Sequence, residues 1–249
     1  MSERRRMMMV GDSGFISQNL LLWFDGKEYL DDSKWYPKIL QSGGLVKYSN
    51  YLSKGGSCSY NSTKGCFSKV ANVAGYYRSS SNFITSIKGS KLGDFTFLTH
   101  VDLTTVRNSN YDEVFLFGST FANGSGYGRG CLYLNNSGLL GFNINSGLWV
   151  IFLSTTSIPV NSHVISLAVV RSGSTMSFFV NGQKLGSDVS CSNYNFTYSD
   201  TSLNIYDPSN PNKTSALDYY SCAIYDRALT SDEIASMCKY LNNRYNLKV

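Results

Sequence analysis

The chain has 249 residues, of which 42% are hydrophobic, 14% aromatic and only 16% charged, and its formal net charge is +5. That length can hold one large all-β core, and no apolar run approaches the roughly 20 residues that carry a helix across a bilayer. Eighteen tyrosines and 22 glycines, among many Ser and Asn, suit strands joined by polar turns.

The first segment, MSERRRMMMVGDSGFIS, opens with positive charge. Its apolar run is too short for a signal peptide and Gly11-Asp12-Ser13 breaks it, so no Sec-type export is expected. Residues 1–17 read as an arm, flexible unless a partner orders it. Arg4, Arg5 and Arg6 offer forked donors suited to carboxylates on a partner. Met7, Met8 and Met9 are unbranched and fill irregular apolar grooves. The six together predict a partner-anchoring plug. Residues 1–91 hold 13 Lys/Arg against 6 Asp/Glu (+7) and residues 92–249 hold 9 against 11 (−2), which sum to +5. Nucleic-acid binding needs a denser basic stripe with interleaved aromatics and is not expected.

Strand-like segments then recur, from Asn19–Gly26 (NLLLWFDG) onward, with a short turn near Lys27–Lys34. Phe95, Phe97, Val101 and Leu103 alternate with polar residues in DFTFLTHVDLT. EVFLFGS, GCLYLNNSG, LLGFNIN and LWVIFLS follow, then HVISLAVVRSG and TMSFFVNGQKLGS. Asn181-Gly182 between two such runs is a strong hairpin signal. At least ten strands are expected, enough for two stacked sheets. The only long helical pattern comes near the end: Thr230 with Glu233 makes a capping box, and Ile234, Met237, Cys238 and Leu241 form one apolar face. A helix over about 231–243 is predicted, with Ala228, Leu229 and Ile234 as buried anchors.

Six cysteines and two histidines offer no CxxC spacing, so a structural zinc site is not expected. The cysteines read as buried thiols, and Cys58 and Cys66 are the one pair close enough in sequence for a local disulfide.

Four stretches carry a resemblance. LLLWFDG, DFTFLTHVDL, HVISLAVVRSGSTMSFFVNGQKLGS and AIYDRALTSDEI, in this chain order, resemble the strands and closing helix of laminin G-like, concanavalin A-like jelly rolls. The resemblance implies an all-β, two-sheet antiparallel sandwich over residues 18–249, with the helix covering an exposed end. An unexported domain of this kind with an N-terminal arm is similar to tailed-bacteriophage virion proteins: head fibres, decoration proteins and tail fibres.

Sugar cleavage by a jelly roll needs two carboxylates roughly 5–9 Å apart. The closest acidic pairs, Asp31-Asp32 and Asp112-Glu113, are adjacent and would point to opposite faces of a strand. No catalytic residue is therefore assigned. Some relatives hold calcium at the rim; Asn204, Asp207 and Asp218 could supply oxygens, but a solvated turn is the preferred reading and no cofactor or metal is assigned. The loop tips are rich in Tyr, Asn, Ser and Gly, which make adaptable contacts. Tyr127, Tyr194 and Tyr198 are the candidate glycan-binding residues. The expectation is a virion-located structural protein bound to capsid or tail proteins and to itself, with a trimer as first guess. Its partners include host-surface glycans but neither nucleic acid nor membrane. A bacterial lectin outside any virion is the alternative, and a polysaccharide-degrading enzyme the third reading.

Overall fold

A computed structural model describes residues 14–28, 33–40, 51–69, 75–79, 93–103, 113–120, 129–135, 137–145, 149–159, 162–192, 202–205 and 217–248. Among them the first strands are β1 (Leu20–Asp25), β2 (Lys34–Trp35), β3 (Ile39–Leu40), β4 (Leu52–Gly56), β5 (Ser59–Asn61), β6 (Cys66–Lys69) and β7 (Gly75–Arg78). There follow β8 (Phe95–Leu103), β9 (Glu113–Thr120), β10 (Arg129–Asn135), β11 (Leu139–Asn145) and β12 (Trp149–Ser157). The last are β13 (Val164–Ser172), β14 (Thr175–Val180), β15 (Gln183–Lys184), β16 (Val189–Ser190), β17 (Ser202–Ile205) and β18 (Leu217–Tyr225), before the helix α1 (Ser231–Tyr245).

The strands build two antiparallel sheets. The ten-stranded sheet runs β15-β14-β13-β8-β18-β1-β3, with β16 on β14 and the β5–β6 pair on β18. The eight-stranded sheet runs β12-β11-β10-β9-β17-β7-β4-β2. Side chains alternate across each strand, so each sheet gives one face to the space between. Phe95 and Phe97 of β8 meet Phe142 of β11 at 5.2 and 5.3 Å between ring centres. Trp35 of β2 meets Phe24 at 5.3 Å and Phe67 at 4.4 Å. These contacts cross from sheet to sheet and define the sandwich core.

Local chemistry agrees with the predicted turns. Asn181 and Gly182 have φ of 50° and 80°, the left-handed pair that a two-residue hairpin requires. Asn181 also holds the start of β13: its Oδ1 accepts from the Ile165 and Ser166 amides, and its Nδ2 donates to the His163 carbonyl. The turn abuts the helix, where a Cβ on Gly182 would stand 3.2 Å from Ala235 Cα.

The helix begins at Ser231 as its cap predicts. Thr230 Oγ1 accepts from the Glu233 amide, and Glu233 Oε2 accepts from the Thr230 amide. It continues two residues beyond the predicted end, to Tyr245, and stops at Asn246 in the left-handed conformation. Its position differs from expectation: α1 lies on the outer face of the ten-stranded sheet, not across the end of the sandwich. Ile234, Met237, Leu241 and Tyr245 pack on Leu20, Trp23, Leu98, Ala168, Val170, Phe179 and Ala223, which point away from the inter-sheet core. Leu229 is buried with them and Ala228 partly so. β8 therefore reads as buried at nearly every position, because both of its faces are covered.

The start of the chain belongs to the same layer. The Phe15 ring stands 4.6 Å from Trp23 and 5.2 Å from Tyr240. The Ile16 amide donates to Met237 Sδ, and its carbonyl accepts from the Tyr225 hydroxyl. Packed structure thus includes Phe15 and Ile16, ahead of the domain start expected at residue 18. Cys58 and Cys66 are buried thiols on opposite faces of the ten-stranded sheet, one in the inter-sheet core and the other in the helix layer. No disulfide joins them.

Candidate functional site: the rim of the eight-stranded sheet

Strand register brings one set of chain ends together. Trp149 pairs with Asn145, Arg129 with Ser119, Thr120 with Ser202, and Arg78 with both Asn204 and Ser53. Leu52 then pairs with Trp35. One end of the eight-stranded sheet therefore receives the connections 121–128, 146–148 and 193–201. Tyr127, Tyr194 and Tyr198 fall in the first and third of these and lie outside the described residues, as do Arg4 to Met9 and Asp207. What the register does establish is that the strand ends flanking the two tyrosine-bearing connections are neighbours.

The same end carries a patch that sequence reading missed. Trp35 and Leu52 point into the core, so Lys34, Tyr36 and Tyr51 fall on the outward face by alternation. The rings of Tyr36 and Tyr51 stand 5.5 Å apart. Lys34 Nζ lies 4.6 Å above the centre of the Tyr51 ring, within cation–π range. All three are half-buried. Period-two alternation next to an inward Trp35 could have flagged Tyr36, but only strand pairing places Tyr51 beside it.

A second cluster lies on the ten-stranded sheet. Asp102 of β8 and Asp218 of β18 sit directly opposite one another. His163 Nε2 is 2.7 Å from Asp102 Oδ1. Asp218 accepts from Lys64 Nζ at 2.6 Å and from Ser68 Oγ at 2.5 Å. The Asp218 carboxylate raises the Lys64 pKa, and burial pushes the neighbouring Cys66 thiol up to about 11. These two acids come from distant strands, so a search for local acidic spacing could not find them. Asp218 is ion-paired with Lys64, and Asp102 faces the His163 ring. The sheet order also separates the proposed calcium ligands: Asp218 belongs to one sheet and Asn204 to the other. Among the described residues no group of three or more His, Cys, Asp or Glu side chains is placed to hold a metal ion. No described helix is long and apolar enough to cross a membrane.

A sequence profile described as the concanavalin A-like lectin/glucanases superfamily, of laminin G type, matches residues 78–235. This is well over half of the chain. The protein belongs to that superfamily. No curated protein sequence matches it. Solved structures similar to this chain include Trypanosoma rangeli sialidase in complex with sialic acid, with TM-score 0.62, 14% identity, and coverage of 92% of this chain and 34% of the sialidase. The binding domain of botulinum neurotoxin DC in complex with rat synaptotagmin II gives TM-score 0.63 at 12% identity, covering 91% of this chain and 52% of that one. A third, from work titled for the interaction of botulinum neurotoxin type C with two ganglioside molecules, gives 0.63 at 12%, covering 90% and 51%. At such identities the likeness is one of fold. The chain spans about a third of the sialidases' length and half that of the toxin structures.

Proposed function

We propose that this protein is a non-enzymatic structural and adhesive component of a virion. Its N-terminal residues anchor it to capsid or tail proteins of a tailed bacteriophage, as a head fibre, decoration protein or tail fibre. Its jelly roll is displayed outward and binds glycans, and copies assemble into a homo-oligomer, taken as a trimer.

The observation that carries this reading is the division of labour between the two sheets. Residues 14–17, from which the arm leads, dock on the helix-covered face of the ten-stranded sheet. The Lys34/Tyr36/Tyr51 patch lies instead at one end of the eight-stranded sheet, the end shared by the strand ends that flank the tyrosine-bearing connections. We take the first as the anchoring side and the second as the recognition side. Support also comes from fold neighbours described with sialic acid and with ganglioside molecules.

Affinity per domain is expected to be weak, and display in several copies raises it through effective concentration. The full chain clustered on a multivalent support is expected to bind a subset of a glycan array, while the unclustered protein gives little signal. A silent array with clustered protein rejects the adhesive half of the reading.

A further inference from the structure

Resting on that glycan-binding reading, we infer that Lys34, Tyr36 and Tyr51 form a subsite for a carboxylate-bearing sugar, a sialic or uronic acid residue. The argument begins with charge. Lys38 pairs with Asp25 and Glu28, Lys64 with Asp218, Lys184 with Asp188, Arg227 with Glu233, and Arg244 with Asp25. Lys34, like Lys27, Lys239 and Lys248, has no carboxylate partner among the described residues; what sets it apart is that its ammonium stands over the Tyr51 ring, next to a second half-buried tyrosine, Tyr36. A ring face satisfies only one side of that cation and leaves its other donors for an incoming acceptor.

Shape completes the case. The two tyrosine rings are inclined at 51° to one another, and both are half-buried. The ammonium lies over the Tyr51 face, so the Tyr36 ring is the apolar wall offered to the C–H face of a pyranose and the ammonium the partner offered to its carboxylate. Aromatic side chains with polar tips are suited to this half-apolar contact. Position adds a third argument: the patch shares its end of the sheet with the paired strand ends Ser119–Arg129 and Thr120–Ser202.

The test uses clustered full-length protein on an array of sialate- and uronate-terminated glycans, each printed beside its carboxyl-reduced counterpart. The wild type is expected to prefer the acidic member of at least one pair and to lose that preference as salt rises, since exposed charge contacts are screened. Lys34→Gln is expected to cut the acidic-to-reduced binding ratio by up to about fivefold, the scale of one exposed ion pair, while Lys34→Arg keeps it. Tyr36→Ala and Tyr51→Ala are expected to lower binding of both members, with melting temperatures showing that each variant is folded. Equal binding of acidic and reduced glycans, or an unchanged ratio in Lys34→Gln, overturns the subsite and leaves the adhesive reading standing. Silence across all glycans overturns both.

Discussion

His100 is the most constrained single residue described. It sits on β8 facing the helix, fully buried and stacked 6.1 Å from the Tyr245 ring; among the described residues neither ring nitrogen has a partner in full hydrogen-bond geometry, the Asn242 side chain standing nearby. Burial drives its pKa down to about 3, with the nearby Asn242 side chain pulling weakly the other way. The folded state therefore resists protonation while the unfolded chain accepts a proton near pH 6.5. Between those values the unfolded state binds more protons, so stability is full above about pH 6.5 and falls as pH drops toward 3. The loss is roughly 2–3 kcal/mol by pH 4.5, at about 1.4 kcal/mol per pH unit. Thermal unfolding of wild type and His100→Phe from pH 7 to 4.5 measures it: the wild type is expected to lose more stability than the variant, and parallel curves would contradict this. Asp25 shows the opposite solution for a buried titratable group. Its carboxylate is fully buried, yet it accepts from the Lys27 amide, Tyr245 hydroxyl, Lys38 and Arg244. A buried charge is tolerated only when paired and hydrogen-bonded in this way.

The helix is the element on which the outer layer depends, and it is fastened at both ends. At its start Arg227 forms a two-pronged pair with Glu233 at 2.6 and 2.7 Å, which lowers the Glu233 pKa and reinforces the capping box. At its end Arg244 and Tyr245 reach Asp25 of β1. Between these clamps Ile234 is fully buried against the ten-stranded sheet. Ile234→Asp places an unpaired charge there and is expected to cost roughly 3–5 kcal/mol, within the range for disrupting a buried site of this kind. Urea unfolding gives the number; a midpoint equal to that of wild type would mean that the helix does not pack as described. Because Phe15 touches Tyr240 and Ile16 touches Met237, the same change should also loosen the base of the arm.

At the scale of the whole molecule, α1 and the chain start cover the outer face of the ten-stranded sheet. The described packing of the helix layer starts at Phe15. Deletion of residues 2–11 removes none of the described strands or the helix, and is expected to leave the melting temperature within about 2 °C of wild type. It is also expected to abolish incorporation into the parent particle or to reduce the oligomer to monomers. Quantifying the protein in purified particles, with light scattering of the isolated chain, reads both effects. Normal occupancy and an unchanged oligomer after deletion would remove Arg4 to Met9 as the anchor.

Backbone chemistry written in short stretches was legible from the sequence: the alternation that makes β8, the left-handed Asn181-Gly182 turn, the Thr230–Glu233 cap and the apolar stripe of α1. Each depends on neighbours a few residues away, so a local pattern is enough to specify it. The covering of the outer face was not legible. Thr96, Leu98 and His100 alternate out of phase with the core phenylalanines and look solvent-facing until the helix is folded over them. Nor could sequence bring Asp102 opposite Asp218, or Tyr51 beside Tyr36 and Lys34. Those encounters follow from which strands pair, and pairing is decided by the joint burial of faces contributed from distant parts of the chain.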